Sequence, residues 1–298
     1  MNRLALEQPS PWLRCRFLTC SVLPVRFACN CSCPFCFSKS SLSSLKEDSL
    51  QWSERDLDCY FDYSRQKGAT RLVITGGGEP LLRAAAVLDI VRQGKRYFDE
   101  IACFTNGSRL TKPLARQLSE AGLSYVCFSR HHYDDSLNRR LMGDAAPTLD
   151  QFFDTAGDVT VRATCVMTRD AIDSTQHVWD YIERLAAFGV RQFTFKHTYV
   201  AYERSVFAGS AEDRWASEHR VSFDPFDGQG QIVAALPWGP RVRRIGDYQV
   251  CFYHEPTPAW EQEHEQCRSV NLLSDGSVYA SLEDRSSRLF RLSDSSQL

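Results

Sequence analysis

The sequence predicts an α/β fold in which six parallel strands alternate with helices to form an open (β/α)6 barrel, followed by a C-terminal extension. Three observations support this prediction. Short β-branched and apolar runs alternate with helical patterns through the first two thirds of the chain, as in repeated βα units. The 298 residues, of which 43% are hydrophobic, suffice for one large core. Polar or glycine-rich segments follow the apolar runs, and parallel α/β folds bind ligands at the carboxyl ends of their strands.

The six strands are expected in chain order, each ending at a polar or glycine-rich segment. They cover residues 17–26, 71–74, 101–104, 125–128, 159–167 and 192–196. Helical patterns are expected at residues 81–97, 112–121 and 174–188, where apolar residues recur at helical spacing. We therefore assign residues 1–200 to the barrel, which amounts to about three quarters of a TIM barrel.

Residues 201–298 differ in composition from the barrel. They hold fifteen acidic residues against ten arginines and no lysine, a net charge of −5, and they contain several proline turns. We interpret this segment as a C-terminal extension that closes the barrel and shapes the substrate pocket.

Composition excludes several classes of protein. The net charge of −2 lacks the basic excess of a dedicated nucleic-acid binder. No stretch has the length and hydrophobicity of a membrane span or a secretory signal. Twelve cysteines in a chain without such a signal favour a reducing, cytoplasmic setting with iron–sulfur or redox chemistry over a disulfide scaffold.

The most informative motif is a cysteine-rich loop after the first strand. Cys29, Cys33 and Cys36 have the spacing C-x3-C-x2-C. Three thiolates on one loop can hold three irons of a 4Fe–4S cluster and leave the fourth iron open. The alternative is a zinc site or a set of structural thiols, but zinc ribbons need a second Cys-x-x-Cys knuckle, which the sequence lacks. Cys31 lies inside the loop without fitting the pattern.

Together with Phe35 before the last cysteine and the segment Gly76-Gly77-Gly78-Glu79-Pro80 some forty residues later, this loop resembles the radical S-adenosylmethionine (SAM) superfamily. The resemblance spans roughly residues 17–196. It implies a partial (β/α)6 radical SAM barrel with one 4Fe–4S cluster. It also implies SAM as a cosubstrate that is cleaved to a 5′-deoxyadenosyl radical. The electrons would come from a donor such as flavodoxin or ferredoxin.

The resemblance also implies residues that contact SAM. Gly77, Gly78 and Glu79 would meet the methionyl amino group, with the glycines allowing close backbone approach. Phe35 would pack against the adenine. A plain tight turn at the glycines and a plug of the barrel end by Phe35 are the alternatives.

Three further positions at or near the later strands match polar sites of the superfamily. Asn106 follows the third strand, with an ordinary Asn-Gly turn as its alternative. Ser129 ends the fourth strand and would contact the SAM carboxylate or ribose. Arg162, on the fifth strand, would meet the SAM carboxylate if it points inward, and would be solvated if it points outward.

Other polar clusters are less specific. His131 and His132 are interpreted as substrate contacts or a solvated loop, because no third metal ligand lies at suitable spacing. The acidic run from Glu261 to Glu265 is expected to be a solvated surface.

The late cysteines suggest the reaction. Within the superfamily, the chain resembles aminoglycoside epimerases, in which a thiol returns hydrogen to the face opposite the initial abstraction. Cys251 is the candidate donor, and a buried, inert thiol is its alternative. A second cluster would need four thiolates; only Cys251 and Cys267 lie in the last hundred residues, and Cys15 and Cys20 would have to complete it.

These features lead to the hypothesis of a radical SAM epimerase that acts on a small-molecule aminoglycoside in antibiotic biosynthesis. The alternatives are an aminocyclitol dehydrogenase, which usually needs a second cluster, and a peptide-modifying maturase. A non-catalytic iron–sulfur or zinc protein is the alternative from another class. Neither a nucleic acid nor a membrane is expected as a partner.

Overall fold

The structure, a computed structural model, describes residues 10–25, 28–44, 50–201, 205 and 207–292. Its described strands form one twelve-stranded sheet with the order β12-β11-β10-β1-β2-β3-β4-β5-β6-β9-β8-β7. The strands are β1 (Arg16–Leu23), β2 (Arg71–Ile74), β3 (Glu100–Thr105), β4 (Tyr125–Ser129), β5 (Val161–Met167), β6 (Gln192–His197), β7 (Gln231–Ala235), β8 (Arg241–Ile245), β9 (Tyr248–Tyr253), β10 (Gln266–Leu273), β11 (Ser277–Tyr279) and β12 (Arg288–Arg291).

The predicted parallel barrel is confirmed. Strands β1 to β6 are neighbours in chain order, and each pair is parallel. The sheet is not closed, because its order ends at β12 on one side and β7 on the other. The first strand ends at Leu23, and residue 26 of the expected range lies outside the described residues.

The described helices are α1 (Glu54–Gln66), α2 (Ala84–Gly94), α3 (Lys112–Ala121), α4 (Asp135–Met142), α5 (Leu149–Ala156), α6 (Thr175–Ala186), α7 (Ala211–Glu218) and α8 (Pro258–Glu263). Five of these eight described helices, α1, α2, α3, α5 and α6, bury apolar side chains in the core on the outer face of this sheet. The helix expected at 81–97 is shorter and begins with a 3₁₀ turn at Pro80–Arg83. Helices α4 and α5, between β4 and β5, were not expected from the sequence. No described helix is long and apolar enough to cross a membrane.

Strand residues alternate between two environments. On one face, side chains such as Ile101, Val126 and Phe195 belong to the main core, which also contains the apolar faces of the helices. On the other face lies a mostly polar barrel interior, where Ala102, Tyr125 and Cys127 form only a small apolar group. The strand ladder therefore determines which polar side chains share the interior.

The C-terminal extension continues the barrel sheet at both edges. Strand β9 pairs in parallel with β6, and β10 pairs in parallel with β1. The described parallel array thus runs over eight strands, two more than the sequence predicted. A polar bridge spans the gap between β9 and β10: Glu255, just after β9, forms ion pairs with Arg268 of β10 and, at 3.6 Å, with Lys196 of β6.

Candidate active site

The cysteine loop lies at the carboxyl end of β1 and leads into a short 3₁₀ helix, Phe37–Ser40. Cys29 is exposed, whereas Cys33 and Cys36 are partly buried. The loop is anchored on its outer side because the Ser32 amide donates to the Met142 carbonyl at 2.8 Å. The three predicted ligands therefore lie together at the edge where the parallel strands end.

The thiols influence one another. A hydrogen bond from the Cys31 thiol, assisted by the Cys31 amide and Asn106, lowers the pKa of Cys29 to about 6. Burial, together with the charges of Cys36 and Cys29, raises the pKa of Cys33 to about 12. Three thiols close enough to repel one another when ionised, with hydrogen bonds to the first of them, form a donor set that fits a 4Fe–4S cluster.

A single zinc ion fits less well. Among the described residues, no three His, Cys, Asp or Glu side chains converge closely enough to hold one metal ion. The cysteines of a 4Fe–4S cluster each bind a different iron, so they need not converge on one point.

The Gly-rich segment packs against the start of the cysteine loop. The Gly77 amide donates to the Val25 carbonyl and the Glu79 amide to the Ala28 carbonyl, both at 2.9 Å. A Cβ on Gly78 would lie 1.8 Å from the Ala28 carbonyl oxygen. The close approach that requires glycine at this position is thus to the protein backbone, whereas the sequence suggested a ligand.

Glu79 is buried and occupied by protein contacts. Its Oε1 accepts hydrogen bonds from the Thr105 hydroxyl (2.6 Å) and the Leu81 amide (3.0 Å), and its Oε2 accepts one from the Asn106 amide (2.8 Å). Burial raises its pKa to about 7 despite these bonds. Glu79 therefore joins the ends of β2 and β3 by hydrogen bonds. The sequence predicted a contact with SAM for this residue but not this structural role.

Asn106 links the end of β3 to the cysteine loop. Its Nδ2 donates to the Asn30 Oδ1 at 3.1 Å and lies 3.8 Å from the Cys29 sulfur. Its Oδ1 accepts from the Ser108 hydroxyl, which in turn accepts from Asn30 Nδ2 at 2.7 Å. Asn106 thus does more than form a turn, because it fixes the first cysteine of the loop.

Phe35 is buried between two rings. Its centroid lies 4.7 Å from that of His131, edge to face, and 5.8 Å from that of Trp215 in α7. His131 is also buried, and its Nδ1 accepts the Val166 amide at 3.0 Å, which corrects the interpretation as a solvated loop. Burial, with the charges of Arg130 and Lys196, lowers the pKa of His131 to about 3, so the ring is neutral.

Ser129 and Cys251 belong to one row across four neighbouring strands. Ser129 is paired with Thr164, Thr164 with Thr194, and Thr194 with Cys251. Paired residues in a parallel ladder point to the same face. Since Val250 belongs to the outer core, Cys251 points away from that core, on the interior side.

Cys251 is buried, and its surroundings hold it as a thiol. Burial, followed by the charge of Asp224, raises its pKa to about 11. Lys196 partly opposes this shift, and the same ammonium group also acts on Cys127 and His131. One lysine therefore lies within electrostatic range of Cys251 and of the histidine that covers Phe35.

Arg162 points into the barrel interior, where it is paired with Cys127, one row nearer the amino end of the strands than Ser129. It is the second residue of β5, near the amino end of the barrel. Its guanidinium carbon lies 3.4 Å from the centre of the Tyr125 ring, and its Nη1 lies 3.7 Å from the Glu100 carboxylate. These contacts give its charge partners within the protein, and its contact with the SAM carboxylate stays a prediction.

The remaining cysteines do not form a second four-thiolate site. Cys15 and Cys267 are in hydrogen-bonding contact, but both are fully buried in the main apolar core, as is Cys20. Cys251 lies on β9, at the other side of the parallel array.

Sequence reasoning missed the polar bridge of the barrel. Tyr253 donates to Glu255 at 2.7 Å, and Glu261, expected to be solvated, is buried and accepts the Arg268 amide at 2.9 Å. Lys196 could have indicated this bridge, because it is a single lysine at the end of an apolar strand and needs a negatively charged partner if it is buried. Its partners come from distant parts of the chain, so no local pattern identifies them.

A family model described as the radical SAM superfamily matches residues 23–201 of this chain. Two curated relatives match shorter segments. A probable GTP 3′,8-cyclase of Thermococcus kodakarensis is 31% identical over 115 residues, which cover 39% of this chain and 36% of the relative. A GTP 3′,8-cyclase of Limosilactobacillus fermentum is 36% identical over 103 residues, covering 34% of this chain and 30% of the relative. The similarity thus spans about a third of each curated relative.

Among solved structures, Streptococcus suis SuiB bound to the precursor peptide SuiA is similar with a TM-score of 0.60 and 13% identity, covering 93% of this chain and 62% of SuiB. SuiB bound to S-adenosylmethionine gives a TM-score of 0.56, again at 13% identity, covering 90% of this chain and 60% of SuiB. At 13% sequence identity, the structural similarity shows that this chain and SuiB share a fold.

Proposed function

Because this chain belongs to the radical SAM superfamily, we propose that it is an epimerase that inverts one sugar carbon of an aminoglycoside, as in the conversion of neomycin C to neomycin B. Enzymes of this superfamily use a 4Fe–4S cluster and SAM, and they act on small molecules or peptides with electrons from a reductant. The epimerase reaction and the aminoglycoside substrate are our proposal.

The observation that carries the proposal is the position of Cys251. It lies in the same interior row as Thr164 and Thr194, which are in the middle of their strands, and Ser129, which is the last residue of β4. Ligands of parallel α/β folds bind at the carboxyl ends of the strands, so this row lies beneath the expected binding site. The raised pKa of Cys251 keeps hydrogen on the sulfur at neutral pH. A hydrogen-atom donor must be protonated and must face the substrate, and both requirements are compatible with this position.

In the proposed mechanism, Cys29, Cys33 and Cys36 would hold the cluster, which together with SAM would supply the 5′-deoxyadenosyl radical needed to remove one hydrogen atom from the sugar carbon. Cys251 then gives the hydrogen atom of its S–H bond to the opposite face of that carbon. The sulfur is left one electron short, and one electron from the external reductant with one proton restores the thiol. The sugar has lost and gained one hydrogen, so only its configuration changes.

The alternatives have less support. A dehydrogenase usually passes the one remaining electron of its substrate radical to a second cluster. Outside the loop, the candidate thiols for such a cluster are dispersed, because Cys15, Cys20 and Cys267 lie in the apolar core and Cys251 lies on β9. SuiB is bound to a precursor peptide, but at 13% identity its substrate does not transfer to this chain. The cyclases are matched over about a third of their length, so their reaction does not transfer to this chain.

The test is turnover of the iron-reconstituted, anaerobic protein with SAM, a reductant and neomycin C in deuterated water, followed by mass spectrometry. We expect 5′-deoxyadenosine and an epimer that has gained one deuterium, because the thiol hydrogen exchanges with solvent. A product two mass units lighter would mean dehydrogenation. 5′-Deoxyadenosine without any changed sugar would contradict the aminoglycoside substrate.

Two matched variants distinguish the proposed role of Cys251 from that of another interior thiol. Cys251→Ala should still form 5′-deoxyadenosine but no epimer. Cys127→Ala removes a second interior thiol, which lies one row nearer the amino end of the strands, and should keep epimerisation. Full epimerisation by Cys251→Ala would remove this residue from the mechanism.

A further inference from the structure

Strand β7 forms one edge of the described sheet and is exposed along its whole length. Among the described strands it pairs only with β8, and all five of its residues, Gln231–Ala235, are exposed to solvent. Its outer side therefore presents backbone N–H and C=O groups that no described strand pairs. A strand of another chain binds to such groups in the same way as a neighbouring strand within a sheet.

This edge is also apolar. Among the described residues, five large hydrophobic side chains are exposed, and Ile232 (50%) and Val233 (39%) are the only two of these that are adjacent in sequence. The register of β7 and β8 shifts between Ile232 and Ala234, so Val233 has no partner on β8. The most exposed apolar part of the edge is thus also the part that β8 pairs least completely.

The edge carries no charged side chain, although charge is a common protection of natural sheet edges. Strand β12, at the opposite edge, begins with Arg288 and ends with Arg291. Strand β8, which is covered by β7, contains three arginines, whereas β7 contains no charged residue. An exposed, uncharged and apolar edge is a template for pairing with another strand.

We infer that β7 pairs antiparallel with β7 of a second copy of this chain, with a two-fold axis at Val233, so that the two sheets join. Such an axis makes the surface self-complementary. It places Val233 opposite Val233 and Ile232 opposite Ala234, so a large apolar side chain meets a small one. The inference depends on neither the iron–sulfur cluster nor the epimerase reaction.

The charges at the two ends of β7 favour this antiparallel arrangement. At its amino end, Asp227, Arg244 and Asp247 are exposed, which is two acidic residues against one basic residue. At its carboxyl end, Arg241 is exposed and is paired with Ala235. Antiparallel pairing brings the amino end of one copy beside the carboxyl end of the other, so charges of opposite sign approach each other. Parallel pairing would bring ends of like charge together.

The size of this surface predicts a weak dimer. Five residues in each copy are far fewer than the roughly 20–30 residues a side of a standard interface. The bulge at Val233 also twists the edge, which limits the length over which a second strand pairs. We therefore expect an equilibrium between monomer and dimer that shifts with protein concentration.

The test is analytical ultracentrifugation of the anaerobic, iron-reconstituted protein at about 1 to 200 µM, a range that covers the affinity of a small interface. A thiol reductant excludes intermolecular disulfides. The variants are Val233→Lys, Val233→Glu and an equimolar mixture of the two. The control is Leu13→Lys, which places the same charge on another exposed apolar residue, 42% exposed. Far-UV circular dichroism checks that each variant is folded.

The average mass of the wild type should rise toward twice the monomer mass as the concentration increases. Each Val233 variant should raise the dissociation constant at least about tenfold, because an apolar contact is lost and like charges lie opposite each other. The mixture should dimerise again, because lysine then faces glutamate across the axis, and Leu13→Lys should match the wild type.

Three results would overturn the inference. A wild type that stays monomeric at every concentration would show that β7 does not pair with its own copy. A dimer that survives both Val233 variants would place the interface elsewhere. A mixture that fails to dimerise would exclude the antiparallel register at Val233.

Discussion

The two functional classes of cysteine in the site owe their chemical states to different causes, burial for one and hydrogen bonding for the other. Burial raises the pKa of Cys251, on an apolar strand, to about 11, while hydrogen bonding lowers that of Cys29, in a polar loop, to about 6. The opposite shifts suit opposite tasks, because a hydrogen-atom donor needs its S–H bond and an iron ligand needs a thiolate. The sequence identified both residues but contained no information on burial, so it left the state of Cys251 open.

The first prediction concerns ionisation of Cys251. Because its folded pKa is raised to about 11, its alkylation rate by iodoacetamide should keep rising with pH up to about 11. A free peptide spanning residues 248–253 should reach its plateau nearer pH 9. The measurement is peptide mass spectrometry of timed alkylation, read as the pH of the inflection, because burial slows the reaction at every pH. Coinciding inflections would contradict a buried thiol.

The second prediction concerns His131 and acid stability. Its folded pKa of about 3 lies below the 6.5 of a free histidine, so protons bind the unfolded chain first as the pH falls. The free energy of unfolding should therefore decrease from about pH 6.5 downwards, with each unit of pKa shift worth roughly 1.4 kcal/mol at most.

The variant His131→Asn keeps an acceptor for the Val166 amide but does not titrate. Urea unfolding at pH 7 and pH 5 measures the effect, and the variant should lose less stability between the two than the wild type. His177, which is partly exposed and pairs with Asp173, provides a control by His177→Asn. Identical losses in all three proteins would mean that His131 is already charged at pH 5.

Secondary structure elements were predictable where one local pattern dominated. Strand β2 has the predicted bounds, 71–74, and α3 has the predicted bounds, with Thr111 as its N-cap and Gly122 as its left-handed C-cap. Helices α4 and α5 were missed because each has only eight residues, too few for a clear apolar period. The N-cap residues Asp134 and Thr148 were the sequence features that could have indicated where these two helices begin.

The third prediction tests how the Gly-rich segment supports the cysteine loop. In Gly78→Ala, the Cβ would lie 1.8 Å from a backbone oxygen, so either β2 or the loop must move. We expect a fold that is retained but a reduced iron content after reconstitution. Gly189→Ala is the control, since its Cβ meets no atom within 4 Å and only the left-handed backbone, φ +89°, is penalised, by about 1 kcal/mol. Full iron content in Gly78→Ala would contradict this role.

At the scale of the whole molecule, the extension could not be placed from its sequence. Its strands β9 and β10 continue the sheet at opposite edges, and its expected roles in closing the barrel and shaping the substrate pocket stay predictions. Strand pairing between residues more than two hundred apart, such as Cys20 with Val270, leaves no local pattern. The barrel was predictable because its βα units are local, while the eight-stranded array and the polar bridge depend on contacts between the ends of the chain.

The fourth prediction concerns this polar bridge, because the parallel array has no strand pairing between β9 and β10. Burial alone would raise the pKa of Glu255, yet Arg268 and Lys196 hold it below its usual value, so the carboxylate is charged. Its side chain is 16% exposed and that of Arg268 is 28% exposed, so the pair is partly desolvated. Removing one partner of such a pair leaves the other uncompensated.

Glu255→Gln should therefore reduce the free energy of unfolding by about 2–3 kcal/mol at pH 7, measured by urea unfolding. Glu255→Gln with Arg268→Gln should recover part of this loss, because no unpaired arginine remains. The control is Glu265→Gln, which breaks the exposed pair of Glu265 with Arg14, 2.8 Å apart, and should cost less than about 1 kcal/mol. If Glu255→Gln costs no more than Glu265→Gln, the two edges of the sheet are held together by the apolar core and the α8 connection, and the ion pairs contribute little to closing the barrel.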